Sequence, residues 1–100
     1  MSSVSDQANT SEGLSQEMVI LNRYGLHARP ASKFVKLAGR YKSSIYVEKD
    51  GEEVNGKSIM GLMMLAAGEG SHIIVKANGP DAREALDELQ KLVNEKFGEE

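Results

Sequence analysis

A chain of 100 residues has room for one domain with one small core, and its lack of cysteine excludes disulfide bonds and thiolate metal sites. The formal net charge of −3 argues against a general nucleic-acid binder. No apolar run is as long as a membrane span, and the first residues resemble no signal peptide. We therefore expect a cytoplasmic protein without membrane insertion.

The first half of the chain predicts an extension, a strand and a helix. Residues 1–16 are rich in small and polar residues without apolar periodicity, so we expect a flexible N-terminal extension. The apolar run at residues 18–21 predicts a strand. A helix that ends near Gly39 is indicated next by apolar residues at helical spacing, namely Ala31, Phe34, Val35 and Ala38.

The second half predicts three further strands and two helices. Two short strands flank a dipeptide typical of hairpin turns, Asp50-Gly51. An apolar helix follows Ser58, and alternating residues at 71–77 predict the fourth strand. The last helix has one apolar stripe, consisting of Ala82, Ala85, Leu86, Leu89 and Val93. The order βαββαβα fits an α+β fold in which helices cover one face of a four-stranded antiparallel sheet.

Residues 25–30 combine several features of an anion site. A neutral imidazole is nucleophilic near neutral pH, and His27 directly precedes a predicted helix whose free N–H groups and dipole favour a dianion. Arg29 can donate charge-assisted hydrogen bonds to phosphate oxygens. Pro30 fixes φ for a first helical turn, and Gly25 allows a tight turn before it. The hexapeptide alone leaves open whether His27 holds a phosphoryl group or only packs at the helix start.

The distribution of charge supports the phosphate interpretation. Between Asn22 and Ser43 there is no acidic residue, although the chain as a whole is acidic. A solvated helix face accounts for part of this bias, but its position around His27 favours a surface for acidic partners or phosphate. The basic residues of this window are Arg23, Arg29, Lys33, Lys36, Arg40 and Lys42.

Ser58 and the apolar helix after it form a second candidate site. Serine is a favoured N-cap, and its hydroxyl, or a phosphate on it, could accept hydrogen bonds from the N–H groups of a helix that begins at Ile59. A small sheet can cover only one side of this helix, so we expect its methionines at the surface, where flexible thioethers suit several partners. The alternative is that all of these side chains belong to the core.

Residues 51–58 also satisfy the pattern Gly-x-x-x-x-Gly-Lys-Ser of a nucleotide-binding P-loop. Acidic residues at positions 50, 52 and 53 would repel phosphates, and the chain is too short for the parallel sheet that such a site requires. His72 is the only other histidine, and no third ligand of suitable spacing joins it to His27. We expect no nucleotide, metal or other cofactor, and we expect His72 to point outward from a strand.

With the motifs around His27 and Ser58, the chain resembles the HPr family, the histidine-containing phosphocarrier proteins of the bacterial phosphoenolpyruvate-dependent phosphotransferase system. The resemblance covers about residues 18–97 and includes Gly70 before the fourth strand. It implies an open-faced β-sandwich with three helices on one face, a domain at 17–97 and a C-terminal tail at 98–100. Two motifs carry it, Gly25-Leu26-His27-Ala28-Arg29-Pro30-Ala31 and Gly56-Lys57-Ser58-Ile59-Met60-Gly61.

The resemblance also implies roles for residues at the first motif. Nδ1 of His27 would take a phosphoryl group from phosphorylated Enzyme I and pass it to a IIA-type acceptor. Arg29 would balance the charge of the phosphate, while Pro30 and the backbone at Ala28 would shape the site. The protein would be a carrier and not an enzyme, since its partners supply the catalysis. Tyr24 stands where many sugar-branch members have a small polar residue.

At the second motif, Ser58 matches the serine that an HPr kinase/phosphorylase modifies in some bacteria. Ile59, Met60 and Met63 match the apolar patch that meets partners, with Lys57 beside it. The simplest carrier is a monomer. The alternative function is a regulatory binding module, of a nitrogen-related or incomplete phosphotransferase system, that acts on a protein partner through Ser58 and this patch.

Overall fold

The computed structural model describes residues 13–99 and contains the expected order βαββαβα. The strands are β1 (Leu14–Val19), β2 (Ser44–Lys49), β3 (Glu52–Asn55) and β4 (His72–Asn78). The helices are α1 (Ala28–Ala38), α2 (Ile59–Met64) and α3 (Ala82–Asn94), and a 3₁₀ turn at Lys96–Gly98 follows α3.

The four strands form one antiparallel sheet in the order β1-β4-β2-β3. Val75 lies at its centre, opposite Gln16 on one side and Val47 on the other. Side chains alternate along β4, so that Ile73, Val75 and Ala77 are buried while Ile74 points away from the core. The helices cover the face of the sheet that carries Ile73, Val75 and Ala77, and the face that carries Ile74 is open. This arrangement confirms the predicted α+β open-faced sandwich.

The core lies between the inner face of the sheet and the helices. The five residues of the predicted α3 stripe are all buried, as are Ala31, Phe34 and Ala38 of α1. Leu62 is the one fully buried side chain of α2, and Phe97 closes the core from the 3₁₀ turn. The helical periodicity of the sequence therefore identified the core face of both long helices.

Strand β1 begins four residues before the expected start at Met18. Leu14 and Gln16, which we expected in the extension of residues 1–16, pair with Ala77 and Val75 of β4. Backbone hydrogen bonds do not depend on side-chain polarity, so a polar segment can join the edge of a sheet. Residues 1–12 of the expected extension, and Glu100 of the expected tail, lie outside the described residues.

Two further features of residues 13–99 bear on function. None of the helices there has the length and apolar character needed to cross a membrane. The same residues contain no group of three or more His, Cys, Asp or Glu side chains placed to hold a metal ion.

Candidate functional site

The loop between β1 and α1 holds His27 in a defined place. The backbone N–H of Leu26 donates to the Ala67 carbonyl at 2.9 Å, and the buried Asn22 side chain donates to the Gly25 carbonyl at 2.9 Å. Gly25 has φ of +70°, and a Cβ there would collide with the backbone of Ala67. Only glycine fits this close approach, so the loop is pinned to the segment after α2 directly before His27.

His27 is the N-cap of α1, as the sequence predicts. Its backbone is extended, and its carbonyl accepts the first helical hydrogen bond, from the Ala31 N–H at 2.9 Å. The imidazole makes no capping hydrogen bond, and the residue is half-buried. The ring nitrogens are therefore not committed to holding the helix start, which leaves them available for chemistry.

Tyr24 and two open cavities border the imidazole. The Tyr24 ring meets the His27 ring edge-on, with centroids 6.0 Å apart and an angle of 89°. One cavity, of about 290 Å³, lies between Tyr24, His27 and Met63, and the other, of about 260 Å³, lies between Tyr24, His27 and Glu99. The histidine is thus accessible from two sides, and one of these sides leads to α2.

The first turn of α1 provides the positive side of the site. Ala28 and Arg29 are exposed and Pro30 is buried, so the motif directs its charged side chain outward. The N–H groups of Ala28 and Arg29 belong to the helix start, where N–H groups lack intrahelical acceptors. Lys33 lies one turn further along the helix. Together these donors can receive a dianion attached to His27.

Glu99 belongs to this site, although the sequence analysis assigned it to the tail. Its Oε2 lies 2.8 Å from Nζ of Lys33 and 3.5 Å from Nε of Arg29. The hydrogen bond from Lys33, followed by the charges of Arg29 and His27, lowers the pKa of the Glu99 carboxyl. Glu99 lies 66 residues after Lys33, so no local pattern in the sequence could reveal this contact.

Ser58 is the N-cap of α2, also as predicted. Its Oγ accepts a hydrogen bond from the Gly61 N–H at 3.0 Å, and the residue is half-buried. The Lys57 ammonium group donates to the Tyr41 carbonyl at 2.8 Å and so fastens the segment before α2 to the loop after α1. The hydroxyl of Ser58 therefore contributes to the structure of the helix start.

The exposed side chains of α2 form an apolar surface that we call the methionine patch, consisting of Ile59, Met60, Met63 and Met64. Met60 is 73% exposed and Met64 67%, whereas Leu62 in the same helix is fully buried. The prediction that the methionines lie at the surface is confirmed, and the alternative that the whole segment is core is wrong. Because Met63 also lines the cavity beside His27, the patch is continuous with the histidine site.

The other candidate features take ordinary structural places. Residues 51–58 form the hairpin turn, strand β3 and the connection to α2, in an antiparallel sheet, so they are not the loop between a parallel strand and a helix that the nucleotide-binding pattern requires. His72 is exposed on β4, as expected, and its Nδ1 lies 2.7 Å from Oε2 of Glu17.

The described residues thus form an open-faced α+β sandwich that presents an accessible histidine at a helix start, beside an exposed apolar helix. The family model described as the PTS HPr component phosphorylation site matches residues 14–95. The chain therefore belongs to the HPr family.

Individual relatives agree with this assignment. The phosphocarrier protein HPr of Cupriavidus necator is 45% identical over 86 residues, which cover 86% of this chain and 97% of that protein. The crystal structure of HPr-C-His from Thermoanaerobacter tengcongensis superposes with a TM-score of 0.84 at 46% identity and covers 87% of this chain and 98% of its own. The similarity therefore extends over nearly the whole length of these relatives.

A further similar structure is that of Crh, described as a catabolite repression protein of Bacillus subtilis that forms a dimer with a swapped domain. It has a TM-score of 0.68 and 49% identity, and the match covers 74% of this chain and 85% of that chain.

Proposed function

We propose that this protein accepts a phosphoryl group on Nδ1 of His27 from phosphorylated Enzyme I, with phosphoenolpyruvate as the ultimate donor, and passes it to a IIA-type protein. The observation that carries the proposal is the imidazole itself, which occupies the N-cap of α1 without making a capping hydrogen bond, next to Arg29. In the transfer, the neutral Nδ1 attacks phosphorus, the bond between phosphorus and its donor breaks, and the phosphoryl group arrives as a dianion at the helix start.

The weak support around His27 suits reversible transfer. The Arg29 side chain is 75% exposed, so water screens its attraction for phosphate. Interactions that stabilise the phosphorylated carrier too strongly would slow the second transfer. This protein therefore acts as a carrier and not as an enzyme, and each partner completes the catalytic arrangement around the histidine.

Partner docking in this proposal uses the methionine patch and the basic surface around it. The flexible side chains of Met60 and Met63 can adapt to more than one partner, while the charges of Lys57, close to the patch in the chain, and of Arg29, close to His27, attract acidic groups. The proposed partners are Enzyme I and IIA-type proteins of the cytoplasm, and neither nucleic acid nor membrane insertion is involved.

Phosphorylation by phosphoenolpyruvate and Enzyme I tests the proposal, with the wild-type protein and His27→Ala side by side. The expected result is one acid-labile phosphate per chain that is absent from the variant. Ser58→Ala serves as the matched control because it alters the other helix start and keeps the histidine. No phosphate on the wild-type protein, or an acid-stable phosphate that survives in His27→Ala, would contradict the proposal.

A second candidate function is regulatory, and the position of Ser58 favours it. A phosphate on Ser58 would stand at the start of α2 and add roughly two negative charges beside the methionine patch, which would repel acidic partner surfaces. The similarity to Crh supports the same candidate. We propose HPr kinase/phosphorylase as the modifying enzyme and a regulatory protein as the partner. Incubation with that kinase and ATP should give an acid-stable phosphate that Ser58→Ala lacks.

The proposed oligomeric state is a monomer, because a carrier must present His27 and the methionine patch to different partners in turn. Size-exclusion chromatography with light scattering over a range of concentrations tests this directly. A mass of 10.9 kDa at all concentrations is expected, whereas twice that mass would indicate a dimer, as the Crh structure describes.

A further inference from the structure

Most of the sulfur of this chain lies in one short helix. The sequence contains no cysteine and five methionines, and Met60, Met63 and Met64 all belong to α2. These three side chains are 73%, 42% and 67% exposed, whereas Met18 of strand β1 is 1% exposed. The structure therefore presents three thioethers to solvent in one cluster and buries a fourth in the core.

Exposure decides which of these methionines an oxidant can reach. Oxidation converts the thioether to a sulfoxide, which changes a flexible apolar side chain into a polar, chiral one. Met18 belongs to the close-packed core, where no space admits an oxidant. Met63 is accessible through the cavity of about 290 Å³ that it shares with His27. Oxidation is therefore directed to the methionine patch, which borders the histidine.

We propose that the methionine patch is an oxidation site, at which hydrogen peroxide or a related hydroperoxide converts Met60, Met63 and Met64 to sulfoxides and so weakens partner docking. The inference rests on the proposed function, in which this patch is the docking surface. In each step the sulfur attacks one peroxide oxygen, the O–O bond breaks, and the second oxygen takes up the proton of the first and leaves as water. The sulfur loses two electrons and the peroxide gains them.

The sulfoxide weakens docking because its oxygen must be desolvated. This oxygen is a hydrogen-bond acceptor, and a partner surface that fits an apolar thioether leaves it buried without a donor. At Met63 the sulfoxide also places a partial negative charge in the cavity beside His27. The imidazole itself is not modified. An oxidised chain therefore keeps its phosphoryl acceptor and loses affinity for its partners.

The test measures phosphoryl transfer from Enzyme I before and after treatment with hydrogen peroxide, in the wild type and in two variants. The patch variant combines Met60→Leu, Met63→Leu and Met64→Leu, and leucine has about the volume of methionine but no sulfur. Each protein serves as its own reference, because substitutions in the patch can themselves change docking. Met18→Leu is the matched control, since it removes a methionine from the core and leaves the patch intact.

We expect peroxide to modify Met60 and Met64 first, then Met63, and to leave Met18 unmodified, as peptide mass spectrometry can show. The KM for the wild-type protein should rise about tenfold, the fold-change typical of burying one unpaired polar group. The kcat and the final phosphate content should stay the same, and Met18→Leu should respond as the wild type does. Two methionine sulfoxide reductases, one for each sulfoxide epimer, should restore the original KM in the presence of a thiol.

Three results would overturn the inference while leaving the proposed function in place. They are an unchanged KM when the patch is oxidised, an equal rise of KM in the patch variant, and oxidation of Met18 to the same extent as Met60. The reductase measurement uses only the wild-type chain and decides the question even where a variant fails to fold. An untreated wild-type protein that takes no phosphate from Enzyme I would overturn the proposed function, and this inference with it.

Discussion

The two helix starts of this protein, at His27 and at Ser58, hold equivalent positions but use their side chains differently. Ser58 commits its hydroxyl to the Gly61 N–H, whereas the imidazole of His27 makes no capping hydrogen bond. The start of α1 is surrounded by cations and a carboxylate, and the start of α2 continues into apolar side chains. The two N-cap residues therefore differ in whether the side chain holds the helix start, and only the imidazole is left uncommitted.

The largest expected difference between the two starts is in phosphoryl acceptance. His27→Ala should abolish transfer from Enzyme I, because it removes the imidazole at the α1 start, while its stability should stay within about 0.5 kcal/mol of the wild type. Ser58→Ala should retain acceptance. Radiolabelled phosphoenolpyruvate measures the first effect and urea unfolding the second. Equal loss of acceptance in both variants would remove the functional distinction between the two helix starts.

Substitutions on the two faces of α2 should have opposite effects: on the buried face they should lower stability, and on the exposed face they should weaken partner binding. Leu62→Ala should lower the free energy of unfolding by about 2–5 kcal/mol, because it leaves a cavity in the core. Met60→Ala removes an exposed side chain and should hardly change stability, but it should weaken binding to Enzyme I. Chemical unfolding and isothermal titration calorimetry separate the two effects. Unchanged binding in Met60→Ala would exclude this side chain from the docking surface.

The capping role of Ser58 should be visible in stability alone. Ser58→Ala removes the acceptor for the Gly61 N–H and should cost about 1 kcal/mol, whereas Ser58→Asp should restore most of this loss because aspartate is also a good N-cap. Urea unfolding of the three proteins measures the series. Identical stabilities of the alanine and aspartate variants would contradict a capping function.

The smallest expected effect is a pH dependence confined to the histidine site. Lys33 and Arg29 lower the pKa of Glu99 below its ordinary value of 4.5. The ionised carboxylate therefore stabilises the fold above that value, and the stabilisation is lost as the pH falls through the lower folded pKa. Thermal melts of the wild type and Glu99→Gln should differ at pH 7 and converge as the pH falls through the lowered pKa of Glu99.

Ser58→Ala provides the comparison for this titration, because the serine hydroxyl that it removes does not ionise in the acid range. The stability difference between Ser58→Ala and the wild type should stay constant across the acid range. If the Glu99→Gln difference were equally constant, the carboxylate would contribute no charge interaction to the fold.

Local patterns in the sequence predicted much of this arrangement. The α3 stripe and the hairpin at Asp50-Gly51 were predicted correctly, and so was the cap at Ser58, because each depends on the spacing or chemistry of neighbouring residues. The start of β1 was predicted too late. The pairing of Leu14 with Ala77 is a contact between distant segments, and the polar residues of β1 carry little apolar signal.

The sequence by itself determined the order of elements, the core faces of the long helices and the motif around His27, since these follow from short-range periodicity and residue chemistry. Only the tertiary structure decided that Met63 lies beside the histidine and that Glu99 contacts Arg29 and Lys33. The physical reason is that these contacts join residues far apart in the chain, and they form because core packing, including that of Phe97, brings their segments together.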